Sequence, residues 1–188
     1  MIGKSKSEHG DAAKYMGFAA IGLAAGLAAN FGRKLLVQGP SLIQGNWLEA
    51  LKAEHKTVLG LLDALEQTDD SQTIKRKHLL AHIKQALGKH AFQEENVIYP
   101  ALRDHGFAAQ AESLIVEHGD VKHFLFELDT MAKDAAEFLP TVRALHESLK
   151  QHMHEEEDEI FPPFDAKLDE DQRHKLTVDM NKEGIKLA

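Results

Sequence analysis

This 188-residue chain twice places a glutamate four positions after a histidine on an otherwise apolar helical face, His90 with Glu94 and His152 with Glu156. An α-helix turns about 100° per residue, so residues four apart lie about 40° from each other and share a face. Imidazole nitrogen and carboxylate oxygen presented together are donors for iron, manganese or zinc. Cysteine is absent, which removes disulfides, thiolate metal sites, iron–sulfur clusters held by this chain and cysteine nucleophiles. Twelve histidines and many carboxylates remain as a pool of nitrogen and oxygen donors, and position decides whether it is used.

The faces that carry these pairs are otherwise apolar. One reads Ile83, Leu87, His90, Glu94, Ile98, and the other Val142, Leu145, Leu149, His152, Glu156, Ile160. A buried carboxylate without a partner costs several kcal/mol, so burial of its charge requires pairing or a metal. Two more histidines interrupt apolar stripes of their own: His55 among Leu48, Leu51, Val58, Leu62 and Leu65, and His118 among Leu114, Val121, Leu125 and Leu128.

Apolar residues at three- and four-residue steps, with little strand-like alternation, predict helices from residue 46 onward. Asn46 with Glu49 reads as a capping box opening a helix to about Gln67. A second helix is expected from about Gln72 to Ile98, ending before Pro100, and a third from about Phe107 to Lys133. The fourth is expected from about Pro140 to Ile160, stopping at Pro162–Pro163, because proline lacks the N–H that continues a helix. Asp169 with Gln172 opens a short polar C-terminal helix to about Glu183. The expected fold is all-α, an up-down-up-down antiparallel four-helix bundle with an N-terminal apolar helix and a short C-terminal helix. Its organisation is a 1–45 extension, a 46–165 bundle and a 166–188 polar helix.

An internal repeat relates the two halves. Glu54–His55, His90, Glu94 and Tyr99–Pro100 recur as Glu117–His118, His152, Glu156 and Phe161–Pro162, offset by 63 residues at the first pair and 62 afterwards. Two similar helical hairpins would pack with approximate two-fold symmetry and bring each half's histidines and glutamate to a shared core. His154 lies about 200° round the helix from His152 and His123 about 140° from His118, so neither faces that core. His78, His82, His105, His146 and His174 read as solvated or helix-flanking, and Glu155 to Glu159 as a solvated face apart from Glu156. Glu54 and Glu117 either hold imidazoles in place from behind or point to solvent. Two six-coordinate ions offer about twelve positions, of which four imidazoles and two bridging carboxylates fill about eight, leaving an open centre. Such a donor set suits two non-haem iron ions best, with manganese as the alternative.

The formal net charge of -8 opposes binding to nucleic acid or anionic lipid. The apolar stretch Tyr15 to Ala29 is shorter than the about 20 residues a membrane-spanning helix needs. A helix packed on the bundle or in a dimer is the expectation for it, with membrane contact or self-association through residues 15–37 as the alternative, and the expected location is cytoplasmic.

The contexts HAFQEENVIYP and HMHEEEDEIFP, with His55 and His118 on the preceding helices, closely resemble the hemerythrin-like, or HHE cation-binding, family over roughly residues 46–165. The resemblance implies a di-iron four-helix bundle in which Glu94 and Glu156 bridge the irons, His55 and His90 bind one, and His118 and His152 bind the other, with an oxo or hydroxo bridge completing the centre. It implies small ligands, namely oxygen, nitric oxide or peroxide, in sensing, storage or a stress response. The alternative it leaves open is an enzyme that turns over peroxide or nitric oxide or supports iron–sulfur cluster repair. Oxygen-carrying hemerythrins have a fifth histidine where this sequence has Lys122, and their last ligand pair is HxxxxD where this one is HxxxE. The missing histidine points to a more open and more reactive site than a simple oxygen carrier's, with Lys122 either a proton donor to the pocket or solvated.

Overall fold

The computed structural model describes residues 45–187, and among these the chain is helical, with no strand. α1 covers Trp47–Glu66, α2 Thr73–Gln93, α3 Tyr99–Asp104, α4 Ala108–Thr130, α5 Phe138–His154, α6 Phe161–Asp165 and α7 Glu170–Leu187. Two π-helical segments, π1 at Glu94–Ile98 and π2 at Glu155–Ile160, join α2 to α3 and α5 to α6. The expected N-terminal apolar helix and residues 15–37 lie outside the described residues. Among the described residues no helix is long and apolar enough to cross a membrane.

Local signals account for most of the boundaries. Asn46 Oδ1 accepts the Glu49 N–H at 2.8 Å and caps α1. Asp169 and Gln172 form a complete capping box, each side chain bonded to the other's backbone N–H, at 2.8 and 2.9 Å. Gly106, at φ +89°, supplies the left-handed residue that lets the chain leave α3 and enter α4.

The prolines act differently from expectation. The second and fourth helices do not stop at Pro100 and Pro162 but continue to Asp104 and Asp165. The π turns make this continuation feasible. Each shifts the ladder by one residue, so that Tyr99 N–H bonds Glu94 O and Phe161 N–H bonds Glu156 O. The prolines then fall in the first turn of α3 and α6, the part of a helix that tolerates proline best. The third helix ends three residues earlier than expected, at Thr130, and the last runs on to Leu187.

The core consists of two apolar clusters. One contains Trp47, Leu51, Ile98, Tyr99, Leu114, Phe161 and Phe164, the other Val58, Leu62, Ile83, Leu87, Val121, Leu145 and Leu149. Along α1 and α4 the chain passes from the first cluster to the second, and along α2–π1 and α5–π2 from the second to the first. That order is an antiparallel up-down-up-down bundle, with histidine and glutamate at each crossing between clusters. At one end Arg76 ties two loops, donating to the Thr68 hydroxyl and carbonyl and to the Lys133 carbonyl.

At the other end α7 is part of the core despite its polar composition. Leu176 and Met180 are buried in the first cluster, Gln93 donates to the Met180 carbonyl at 3.1 Å, and Arg173 grips Asp165, which also accepts from the Trp47 indole at 3.0 Å. Met180→Ala should therefore destabilise the whole bundle by about 2–5 kcal/mol, read as a single lowered denaturation midpoint. A stability equal to the parent's would mean that α7 is an appendage.

Candidate metal centre

Each bundle helix delivers one imidazole to the layer between the apolar clusters, and the two π segments deliver one carboxylate each. His55, His90, Glu94, His118, His152 and Glu156 are all buried, so the structure brings the six predicted residues together. They form two overlapping groups, His55, His90, Glu94 and Glu156, and His118, His152, Glu94 and Glu156, each with donor atoms within 4.8 Å of one another. Glu94 Oε2 lies 3.1 Å from His90 Nε2 and 3.3 Å from His118 Nε2. Glu156 Oε2 lies 3.3 Å from His55 Nε2 and 3.4 Å from His152 Nε2. Each carboxylate thus faces one histidine of each group.

Behind the imidazoles stands a second ring of carboxylates. Glu54 on α1 lies 3.4 Å from Nδ1 of His90 on α2, and Glu95 on π1 lies 2.9 Å from Nδ1 of His118 on α4. Glu117 on α4 lies 2.7 Å from Nδ1 of His152 on α5, and Glu157 on π2 lies 2.6 Å from Nδ1 of His55 on α1. The relay runs once round the bundle and closes. An ionised carboxylate only accepts, so each Nδ1 carries a proton, which leaves each Nε2 as the ring atom that would face a cation. Glu54 also accepts from Lys89 at 2.7 Å, an ion pair almost fully out of water.

Sequence reasoning left Glu54 and Glu117 undecided, and the structure puts both behind an imidazole. It missed Glu95, and it assigned Glu157 to the solvated face. The internal repeat carried the signal, since Glu95 and Glu157 each follow a predicted ligand glutamate. It also missed Tyr99. Residues five apart lie about 140° round an α-helix, which would turn Tyr99 away from Glu94. A π turn, closed by i to i+5 bonds, brings them back to one side. The Tyr99 hydroxyl donates to Glu156 Oε1 at 2.7 Å, and lies 3.3 Å from Glu94 Oε2 and 3.1 Å from His118 Nε2. Its repeat partner is Phe161, so this phenol breaks the two-fold pattern.

The remaining histidines divide. His123 is exposed beside Glu127 and His154 beside Asp158, both away from the centre as their rotation requires. His146, expected at the surface, is instead buried against Glu66, where its apolar neighbours Val142, Leu145 and Leu149 carry it inward. Lys122 is 60% exposed and bonds Glu95 at 2.8 Å, so it reaches the centre only through the carboxylate that holds His118.

The electrostatics are those of a site built around positive charge. Against burial, which lowers it, Glu94 and Glu54 lift His90 well above the ordinary imidazole range. Against burial, which raises it, His90 and His118 hold Glu94 well below the carboxylate range. Burial and the two carboxylates push the Tyr99 phenol well above its usual value. Without a cation, extra protons on the imidazoles must balance the carboxylates. Among the described residues four buried side-chain polar atoms lack a hydrogen bond, and Glu94 Oε1, His152 Nε2 and Glu156 Oε2 are three of them. The His55 and His90 Nε2 atoms face each other at 2.9 Å, a contact that needs a shared proton or a cation. The donor set and its unsatisfied atoms fit a metal ion.

Comparison with known proteins agrees with this geometry. The model of the hemerythrin HHE cation-binding domain matches residues 47–164. A DNA nickase from Nostoc sp. is 26% identical over 144 residues, covering 77% of this chain and 40% of the relative. An uncharacterised hemerythrin-like protein from Schizosaccharomyces pombe is 33% identical over 90 residues, covering 46% of this chain and 44% of that protein. The chain spans less than half the length of these two curated relatives. It belongs to the hemerythrin HHE cation-binding family.

If the outer carboxylates orient the imidazoles, Glu157→Gln should weaken metal binding by about 10–100-fold in competition with a chelator. Glu159→Gln, an exposed change two residues on, should leave it unaltered. Equal affinity in the two variants would remove Glu157 from the site.

Proposed function

We propose that His55, His90, Glu94, His118, His152 and Glu156 hold two non-haem iron ions, and that the protein binds oxygen, nitric oxide or peroxide there in sensing, storage or defence against oxidative or nitrosative stress. The observation that carries this reading is the shared position of Glu94 and Glu156, each facing one imidazole of either donor group. In this reading the two carboxylates would be shared between the ions, and residues 46–165 form the iron-binding unit. Charge supports two ions. Glu54, Glu94, Glu95, Glu117, Glu156 and Glu157, set against Lys89 and Lys122, leave four negative charges that two divalent cations neutralise. Imidazole and carboxylate donors suit iron, with manganese second.

Bound iron supplies a redox-active Lewis acid with positions open to a small ligand. The chain's own residues do the rest. The four outer carboxylates fix the ring orientation and tautomer of the histidines. Tyr99 holds Glu156 by donating its hydroxyl hydrogen and places the same oxygen 3.1 Å from His118 Nε2. The apolar clusters on both sides keep bulk water from the layer. A nucleic-acid role is not part of this reading, because the net charge of -8 opposes a polyanion.

Protein purified without added metal should contain two irons per chain, and Glu94→Ala should hold less than one while keeping its helical circular dichroism. Full iron content in that variant would overturn the ligand assignment. Reduced protein mixed with oxygen or nitric oxide should give a charge-transfer band that reverses on removal of the gas. Immediate irreversible oxidation would favour turnover over reversible binding.

A further inference from the structure

Between α2 and α4 lies a cavity of about 320 Å³ whose inner end is formed by His90, His118 and His152. Leu87, Phe92, Val121, Leu125 and Leu149 make its walls, and Lys84, Glu95 and Lys122 stand at its mouth. We propose that this cavity is a binding pocket for a small, uncharged, apolar organic molecule, held with one end against the metal centre.

Size is the first argument. A diatomic gas or peroxide occupies a volume comparable with one water's share of the liquid, about 30 Å³. The cavity is ten times that and falls at the lower end of the about 300–1,000 Å³ typical of sites for small organic ligands. The second argument is its lining. A buried water needs about 2–4 polar partners, which aliphatic and aromatic walls do not offer, so an apolar occupant gains by displacing poorly held water.

Charge narrows the class further. The cations at the mouth are already engaged, Lys84 with Asp129 at 2.8 Å and Lys122 with Glu95 at 2.8 Å, so an anionic head group would meet lysines whose charge a carboxylate already offsets. The polar end of the cavity is the row of imidazoles, which directs any single polar atom of the occupant inward. The pocket stands on its own geometry, and its contact with a metal rests on the di-iron reading above.

Gly88 provides the test. It lies on the cavity wall in the interior of α2, and a Cβ built there meets nothing within 4 Å, so a larger side chain can grow into open space. Toluene is the probe and hexanoate its charged counterpart, applied to the full chain with iron bound. Saturation-transfer NMR should show toluene binding, with hexanoate weaker by about tenfold or more. Relaxation of the toluene protons should quicken when iron replaces zinc in the protein, as the probe sits beside the centre. Gly88→Phe should weaken toluene by about tenfold or more at unchanged iron content and helicity. Leu125→Trp, from the opposite wall, should do the same and serves if the first variant does not fold.

Iron-loaded protein that fails to bind toluene, or binds it equally in both filled variants, would overturn the pocket while leaving the di-iron reading intact. Toluene binding with no effect of iron on its relaxation would overturn the contact with the centre. Toluene binding by protein that never takes up iron would support the pocket and refute the di-iron reading.

Discussion

Carboxylates removed from water need opposite charge close by, and the cost of leaving them without it is several kcal/mol each. Glu94 and Glu156 have no solvent exposure and sit at the midpoint of the bundle, between two apolar clusters. The rest of the arrangement follows from compensating them. Four imidazoles surround the pair, a phenol donates to one of them, and four outer carboxylates hold the imidazoles in place. Because each outer glutamate lies on the element preceding its histidine around the bundle, every interface between adjacent helices contains one of these bonds. The geometry of the layer and the packing of the helices therefore constrain each other.

What could be read from the sequence was whatever depends on regular helical rotation. The apolar stripes, the histidine on each, the antiparallel order and the six inward donors all follow from a 3.6-residue period and the repeat. The departures sit where that period fails. Pro100 and Pro162 looked like terminators because a proline in the interior of an α-helix both lacks its N–H and crowds the carbonyl four residues back. A local π register allows the chain to continue, and it turns Tyr99 toward the centre. Rotation by 100° per residue sends it elsewhere. His146 was misplaced for a simpler reason: a polar residue on an otherwise apolar face was read by type and not by its neighbours.

The C-terminal helix shows the difference between composition and burial. Its capping box was plain in the sequence, but its average polarity concealed two apolar residues on one side, Leu176 and Met180, that complete the cluster around Trp47. A helix need not be strongly amphipathic to close a core when a few side chains meet it at the right register. Gln93, one residue before Glu94, bonds the backbone of that helix, so the cover of the bundle and the start of π1 are joined directly.

The π turns also carry a lesson for anyone copying the site. A His-x-x-x-Glu pair placed on an ideal helix reproduces the spacing of His90 with Glu94 but not the inserted residue that follows. Such a graft would have the inner donors without the phenol above them. Shortening π1 by one residue beyond Glu95 would restore a regular helix and carry the phenol away from the site without touching a ligand. What would have to be transplanted is a defect in the backbone as much as a set of side chains.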